Sequence, residues 1–280
     1  MLETPSRTAH RVALRRATHQ LLDHPVVFHD PLALPIAGVI DGKTLLDDPR
    51  EQSRFGIALR AFMAARSRLT EDLLAGAVER GVDQYVVLGA GLDTFAYRNP
   101  YGDRLRVFEV DHPATQAWKR QRLEAASIAV PASLTFVPVD FANQETFDEL
   151  KAQGFDAARP AWFSWLGVTM YLESPVVWSV LTSVARLPPG SGIVFDYAVP
   201  PEMLGDAGRR AFEALADRVA QSGEPFVSSI DPRTIRQELR AAGYSAADDF
   251  SGDELNRRYF DGRTDNLRVG RLMRMASAAV

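Results

Sequence analysis

Two glycines and an acidic residue form the part of this sequence whose chemistry is easiest to infer. Gly89-Ala90-Gly91 follows a short apolar run at residues 85–88, and Asp111 closes the next apolar run. The order is strand, glycine turn, helix, strand and acidic end, which is typical of a right-handed βαβ unit that binds a nucleotide-like ligand. Glycines let the ligand approach the first turn, and the acid can accept hydrogen bonds from ribose hydroxyls. The stretch therefore predicts a cofactor pocket.

The identity of the cofactor depends on three further residues. A dinucleotide fingerprint has a third glycine, and Thr94 occupies that position, which disfavours NAD and leaves it open. Asp140 follows the third predicted strand as Asp111 follows the second, so both carboxylates should lie at one edge of the sheet. Arg66 lies four residues after Phe62 on the apolar stripe of a predicted helix, so its guanidinium should point inward.

Two acids and an inward cation suit S-adenosylmethionine, which has a ribose, an adenine amino group and a methionine carboxylate. Simpler structural roles remain open for the same residues. Asp111 and Asp140 could cap helices at strand ends, and Arg66 could form an ion pair with a core Asp or Glu. A glycine turn that binds no ligand is the corresponding alternative for Gly89 and Gly91.

Seven motifs that occur in order along most of the chain resemble the leucine carboxyl methyltransferase family of S-adenosylmethionine-dependent methyltransferases. The similarity is greatest to the bacterial branch associated with polyketide O-methylation. The motifs are SRTA near the start, DPLA at 30–33, AARSR at 64–68, LGAGLDTFAYR at 88–98, FEVDHP at 108–113, PVDF ending at 141 and WLGVTMYL at 165–172.

The resemblance implies a role for each cofactor residue. Arg66 would bind the methionine carboxylate, Gly89 would lie against the cofactor, and Asp111 would hold the ribose. Asp140 and Phe141 would frame the adenine. The complete set of predicted cofactor-binding residues is Arg66, Gly89, Ala90, Gly91, Asp111, His112, Asp140, Phe141 and Leu166. Many members have Arg at the position of Phe95 and an acid at the position of Leu166; these departures concern the substrate and leave the other cofactor positions intact.

The methyl acceptor is less well specified by the sequence. Arg7 and Arg11 are candidates to orient an anionic acceptor, on the basis of position and charge alone. Trp165 and Tyr171 follow the fourth predicted strand and could either line the acceptor pocket or belong to the core. No catalytic residue can be named. Since no general base stands out, we expect the acceptor to be a small molecule with a carboxylate or an acidic hydroxyl. An NAD(P)-dependent oxidoreductase and a non-catalytic nucleotide-binding protein are the alternatives.

Composition narrows the class of protein. The 280 residues have a formal net charge of −4 and no cysteine, which gives no electrostatic basis for binding nucleic acid and excludes disulfides and thiolate chemistry. The five histidines have no helical i, i+4 pair, so no metal site is predicted. No secretory signal or membrane-spanning run is recognisable, which favours a cytoplasmic enzyme; the oligomeric state is unspecified.

Strands and helices alternate through most of the chain, which predicts an α/β fold with a doubly wound, mostly parallel, Rossmann-like sheet of about seven strands. We expect one methyltransferase domain over 1–280: a helical cap at 1–54, then a core at 55–280 with a helical insertion at about 200–226 after strand five. Helices are predicted at 6–22, 55–80, after the glycine turn, and at 113–126, 147–153, 176–186, 202–221 and 231–242. Strands are predicted at 85–88, up to 111, at 134–139, 161–166 and 193–197, and as a terminal pair that includes 267–275.

Overall fold

The computed structural model describes residues 6–141, 146–221 and 223–280. Within them, seven strands form one sheet: β1 (Gln84–Leu88), β2 (Arg106–Asp111), β3 (Leu134–Pro138), β4 (Trp162–Trp165), β5 (Gly192–Ala198), β6 (Ala246–Phe250) and β7 (Met273–Ala279). Their spatial order is β3-β2-β1-β4-β5-β7-β6. The first five strands in the chain pair in parallel, and β7 pairs antiparallel with both β5 and β6. The predicted fold class, including the terminal strand pair, is confirmed.

The register of the parallel strands determines where the site lies. Leu88 at the end of β1 pairs with Val110 on one side and with Trp165 on the other. The carboxyl ends of β1, β2 and β4 are therefore level with one another. Ligands bind at this edge in open α/β sheets, and the order reverses here because β1 lies between β2 and β4.

The helices in the described residues cover both faces of the sheet. They are α1 (Arg7–Leu22), α2 (Ala33–Ala37), α3 (Lys43–Leu46), α4 (Pro49–Gln52), α5 (Arg54–Glu79), α6 (Pro113–Ala125), α7 (Thr146–Ala152), α8 (Ser174–Ala185), α9 (Asp206–Ala220), α10 (Ile235–Ala241) and α11 (Gly252–Tyr259). None of the described helices is both long enough and apolar enough to cross a membrane.

Alternate residues of the central strands pack against opposite helical layers. Val86 and Leu88 of β1 belong to the same buried cluster as Leu181 of α8. Val87 of β1 instead packs with Leu74 of α5. Strands that are covered on both faces are expected to be continuously apolar, as β1 is.

Buried arginines attach helix α1 of the four cap helices, α1 to α4, to the core. The Arg16 guanidinium in α1 lies 3.3 Å from Asp30, and its Nη2 donates to the carbonyl of Leu92 beside the glycine turn. Arg60 of α5 pairs with Asp23 at 2.8 Å. Both arginines are buried, so removing either partner would leave an uncompensated charge in the interior. The helical cap is thus present, whereas the exact domain boundaries remain a prediction.

Several local predictions were wrong. The segment after the glycine turn forms short 3₁₀ turns at Phe95–Arg98 and Gly102–Arg104 instead of an α-helix, because Pro100 interrupts it. Asp231 does not cap α10: its carboxylate accepts from the Arg233 N–H, and the helix begins later, at Ile235. Helix α3 lies in a segment that the sequence predicted as a loop, and α11 was not predicted.

Candidate functional site

A cavity of about 370 Å³ lies at the carboxyl edge of β1, β2 and β4. Helix α1 of the cap and the segment 223–227 after α9 close it from outside. The structure brings the nine predicted cofactor-binding residues together in its lining: Arg66, Gly89, Ala90, Gly91, Asp111, His112, Asp140, Phe141 and Leu166.

The glycine turn forms the floor of the cavity. Gly89 and Gly91 have φ angles of 65° and 47°, in the left-handed region that favours glycine. A Cβ on Gly89 would lie 2.3 Å from Cγ2 of Val168, and one on Gly91 would lie 3.1 Å from Cβ of Ala9. The N–H groups of Gly89 and Ala90 both donate to the carbonyl of Val110, which holds the turn against β2. Gly89 is thus required by conformation and by space, and Gly91 mainly by conformation.

Asp111 joins the glycine turn to the end of β2. Its Oδ2 accepts the Gly91 N–H at 2.5 Å, and its Oδ1 accepts the His112 N–H at 2.7 Å. Burial raises the pKa of this carboxyl, and the two N–H donors act in the opposite direction. His112 is the N-cap of α6, where its Nδ1 accepts from the Ala114 N–H. Because each carboxylate oxygen has two lone pairs, Asp111 retains the capacity to accept ribose hydroxyls.

Arg66 forms a buried ion pair and also lines the cavity, which are the two possibilities that the sequence left open. Its side chain is 5% exposed, and its Nη1 donates to Oδ2 of Asp196 at 2.7 Å. The other oxygen of Asp196, a residue that is fully buried in β5, accepts the Gly167 N–H at 2.5 Å. Arg66 also lines the cavity, and a guanidinium has five N–H donors for several partners. Asp196 thereby holds the cation at the point where β4 ends.

Phe141 and Leu166 also line the cavity. The Phe141 ring centroid is 6.2 Å from that of Trp165, which is fully buried in the core beneath it. Trp165 is therefore placed as a core residue and does not appear in the described lining of the cavity. Its side chain points to the face of β4 that α8 covers.

The other predicted acceptor residues are separated from one another. Tyr171 lines the cavity, and burial followed by the nearby Glu224 carboxylate raises the pKa of its phenol. Arg11 instead lines two neighbouring cavities between the cap and α9. Arg7 is exposed and contributes to none of the cavities described here.

Sequence reasoning missed three residues of the site. Thr8 donates both its N–H, at 3.2 Å, and its hydroxyl to Oε2 of Glu224, which joins α1 to the segment after α9. No local signal marks this pair, because the two residues are 216 positions apart. Asp196 did carry a signal, since it is an acid within the apolar run of β5, and a buried arginine requires such a partner.

The geometry fits S-adenosylmethionine better than a dinucleotide. The lining combines the glycine turn with the Asp111 carboxylate and the Arg66 guanidinium, the groups predicted for the ribose and for the methionine carboxylate. Thr94, in place of a third glycine, is buried and donates its hydroxyl to Asp30 of the cap at 2.8 Å. That position is thus used for packing the cap and does not offer the close backbone approach that a pyrophosphate requires.

Comparisons with known proteins agree with this assignment. A family model described as leucine carboxyl methyltransferase matches residues 9–185. A Bacillus subtilis protein, YktD, named as an S-adenosyl-L-methionine-dependent methyltransferase, is 34% identical over 278 residues, which cover 91% of each chain. A Mycolicibacterium gilvum protein named as the same kind of enzyme is 31% identical over 261 residues, covering 86% of this chain and 82% of its own.

Solved structures share the fold at low sequence identity. A DUF574 family protein from Streptomyces avermitilis superposes with a TM-score of 0.59 at 14% identity and covers 96% of both chains. A Thermobifida fusca protein named as a methyltransferase has a TM-score of 0.59 at 17% identity, covering 99% of this chain and 95% of its own. At these identities the likeness establishes the arrangement of the sheet and helices.

Proposed function

Since the chain belongs to the leucine carboxyl methyltransferase family and is an S-adenosylmethionine-dependent methyltransferase, we propose that it methylates an oxygen, namely a carboxylate or an acidic hydroxyl of a small molecule. The family match covers more than half of the chain, and the near-full-length relative from B. subtilis supports the same cofactor. S-Adenosylhomocysteine is then the product that remains after transfer.

The bound cofactor supplies a methyl group on a sulfonium, which is already a good leaving group. The protein's part is therefore to align the two reactants and exclude water, a contribution of up to roughly 7–11 kcal/mol. Arg66 and Asp111 hold the two ends of the cofactor's polar framework, and the glycine turn allows it to lie against β1. The Thr8–Glu224 contact closes the cavity on the side of the cap.

One observation supports an acidic acceptor: the polar side chains between the cofactor cavity and the chamber beyond it are hydrogen-bond donors. Thr8, Arg66 and Tyr171 line both cavities. Arg66 is cationic, Thr8 donates to Glu224, and burial keeps the Tyr171 phenol protonated. Arg66 and Tyr171 can therefore donate to an anionic acceptor, whereas the single hydroxyl hydrogen of Thr8 is already donated to Glu224. A carboxylate or an acidic phenol needs no base, because it is ionised on arrival.

We further propose that the acceptor is a polyketide-type secondary metabolite that is methylated in the cytoplasm. An interleaved apolar and basic lining between the cap and α9 suits an organic acid of this kind. The formal net charge of −4 offers no general attraction to nucleic acids.

A methyl-transfer screen with labelled S-adenosylmethionine tests the proposal. Aromatic polyketide acids and phenols should accept the label, whereas their matched methyl esters and methyl ethers should not. Preference for a neutral aliphatic alcohol or an amine would refute the acidic acceptor. Calorimetry with S-adenosylhomocysteine and NAD should show binding of the first alone; tight binding of NAD alone would instead favour an oxidoreductase.

A further inference from the structure

Three cavities follow one another from the sheet edge to the surface. The cofactor cavity adjoins a chamber of about 70 Å³, with which it shares Thr8, Val12, Arg66, Gly167 and Tyr171. The chamber in turn shares lining residues with a groove of about 550 Å³ between the cap and α9. The chamber therefore lies between the cofactor cavity and the groove, and the side chains that it shares with each form the walls between them.

The chamber is narrow and mainly apolar. Met63, Met170, Leu215, Phe226 and Met273 contribute its apolar wall. Methionine side chains adapt to irregular shapes, and the Phe226 ring packs at a tilt against the Tyr171 ring, with 5.3 Å between their centroids. A chamber of this size and polarity accepts an alkyl or aryl stem and disfavours a charged group.

The groove beyond the chamber has an excess of positive charge. Its lining includes four arginines and two acids: Arg11, Arg15, Arg50, Arg218, Asp48 and Glu51. The two acids already have cationic partners, because Asp48 accepts from Arg50 at 2.7 Å and Glu51 is shared between Arg15 and the buried Arg60 of α5. Arg11, Arg15 and Arg218 line both the groove and the chamber, so these three cationic side chains lie where the two cavities meet.

The effect of the neighbouring positive charge is seen most clearly at Arg15. It lies 3.8 Å from Glu51, and within the described part of the chain its buried Nε has no hydrogen-bond partner. Burial lowers the pKa of Arg15, Glu51 raises it, and Arg218 and Arg11 lower it again. A buried donor without a hydrogen-bond partner is costly, so Glu51 compensates the Arg15 guanidinium only in part.

The neighbouring arginines connect the two sides of the groove. Arg11 of α1 donates to the backbone carbonyl of Arg218 in α9 at 3.4 Å. The Arg218 guanidinium lies 5.7 Å from the centre of the Phe55 ring, which also lines the groove. The cluster therefore belongs to the interface between the cap and α9.

We propose that this basic groove binds an acidic group of the methyl acceptor remote from the methylated oxygen. The acceptor is then an elongated organic anion: its acidic head lies at Arg11, Arg15 and Arg218, its apolar body passes through the chamber, and its reactive oxygen reaches the cofactor cavity. This inference rests on the proposed function, because it assigns the acceptor of the same site.

The test uses 8-anilinonaphthalene-1-sulfonate, an aromatic anion whose fluorescence reports binding to an apolar site. Full-length protein saturated with S-adenosylhomocysteine is titrated with the dye, and bound dye is then displaced with decanoate or with decyltrimethylammonium, its cationic counterpart. The concentration of decanoate that displaces the dye should be at least about tenfold lower than that of decyltrimethylammonium. Arg11→Gln and Arg218→Gln should each weaken dye binding about five- to tenfold.

Arg209→Gln is the matched control, because Arg209 lies on the same helix as Arg218 but pairs with Asp206 outside the groove. It should change dye affinity less than about twofold. Equal displacement by the two amphiphiles, or equal dye affinity in all the variants, would overturn the inference. Calorimetry with S-adenosylhomocysteine on each variant verifies folding. If the unmodified protein does not bind S-adenosylhomocysteine, the proposed function itself is refuted. If it binds S-adenosylhomocysteine but does not prefer the anionic amphiphile, the groove assignment alone is refuted.

Discussion

The cofactor end and the acceptor end of the site are built in different ways. At the cofactor end, Gly89 and Asp111 lie at strand ends that the sheet register sets level with each other. At the acceptor end, the contacts join α1 to the region of α9, with Thr8 and Glu224 216 positions apart and Arg11 and Arg218 207 positions apart. The first end is fixed by the core of the fold, and the second depends on two peripheral elements.

The cofactor end and the acceptor end also differ in their charged side chains. Arg66 at the cofactor end is paired with the buried Asp196, and beneath β2 Lys119 is paired with Glu109 at 2.7 Å. In the groove at the acceptor end, arginines outnumber acids. The cation of the cofactor end is thus paired with a buried acid, and the lining of that cavity has more acids than arginines, whereas the lining of the groove has more arginines than acids. Substitutions at the two ends should therefore have separable effects.

The largest effect is expected for Arg66→Ala. Removing the cation leaves Asp196 as an uncompensated charge in the interior, so the free energy of unfolding should fall by about 3–5 kcal/mol. Affinity for S-adenosylhomocysteine should also fall, because the carboxylate of its tail loses its cation. Chemical denaturation and calorimetry measure the two effects.

The double variant Arg66→Met/Asp196→Asn separates these roles. It removes both buried charges and keeps an oxygen that can accept the Gly167 N–H, so most of the stability should return. S-Adenosylhomocysteine binding should remain weak. If the double variant binds the product as tightly as the unmodified protein, Arg66 has a structural role alone.

Gly89→Ala should be the next most damaging change. The new Cβ would lie 2.3 Å from Val168 in a left-handed backbone conformation, so product affinity should fall about a hundredfold, or ~3 kcal/mol. Gly81→Ala is the control, since Gly81 has a φ of 97° but no described atom within 4 Å of the added Cβ. It should lower stability through backbone strain and leave affinity unchanged. Equal loss of affinity in both variants would show that strain, and not the shape of the floor, is responsible.

The Glu109–Lys119 pair should make stability depend on pH. Burial raises the pKa of Glu109 to about 7, against an ordinary value of 4.5, although Lys119 acts to lower it. At a pH between 4.5 and about 7, the Glu109 carboxyl is protonated in the folded protein and ionised in the unfolded chain. The contribution of Glu109 to stability is therefore full below pH 4.5 and is lost as the pH rises through about 7.

Relative to the variant Glu109→Gln/Lys119→Met, the unmodified protein should lose on the order of 2 kcal/mol of unfolding free energy across this range. Urea denaturation at a series of pH values measures the difference. If the free energies of unfolding of the two proteins change in parallel with pH, Glu109 is ionised in the folded state throughout. The Glu109–Lys119 pair would then not account for the pH dependence of stability.

The sequence could predict that the residues of the cofactor end would meet in one cavity, because the information for this is local; their roles in binding the cofactor stay a prediction. A glycine turn after a β-strand and an acid at the end of the next one need only the regularity of a parallel sheet to be brought together. The inward position of Arg66 likewise follows from helical periodicity. Its partner, Asp196, was visible as an acid in an apolar strand but could not be paired with Arg66 without the strand order.

The acceptor end could not be predicted, because its contacts join residues that are far apart in the sequence. The rotation of α1 against α9 is determined by tertiary packing, so the sequence did not reveal that Arg11 would meet Arg218 or that Arg7 would stay exposed. Trp165 illustrates the same limit within a strand. A two-residue alternation tells which side chains share a face, but it does not tell which face borders the cavity.

The smallest effect, and the most direct test of the division, is expected for Thr8→Val. The substitution removes one hydrogen bond between the cap and Glu224, so unfolding free energy should fall by about 1 kcal/mol. The acceptor KM should rise several-fold, because the wall of the acceptor chamber loosens, while the Kd of S-adenosylhomocysteine should change less than about twofold.

Ser245→Ala is the matched control, since its hydroxyl donates to the Ala279 carbonyl of β7 and Ser245 lines none of the three cavities. It should leave the acceptor KM unchanged. If Thr8→Val weakens product binding as much as it raises the acceptor KM, the two ends are not independent. The contact between α1 and Glu224 would then support the cofactor as well, and the cap would have to be regarded as part of the cofactor site.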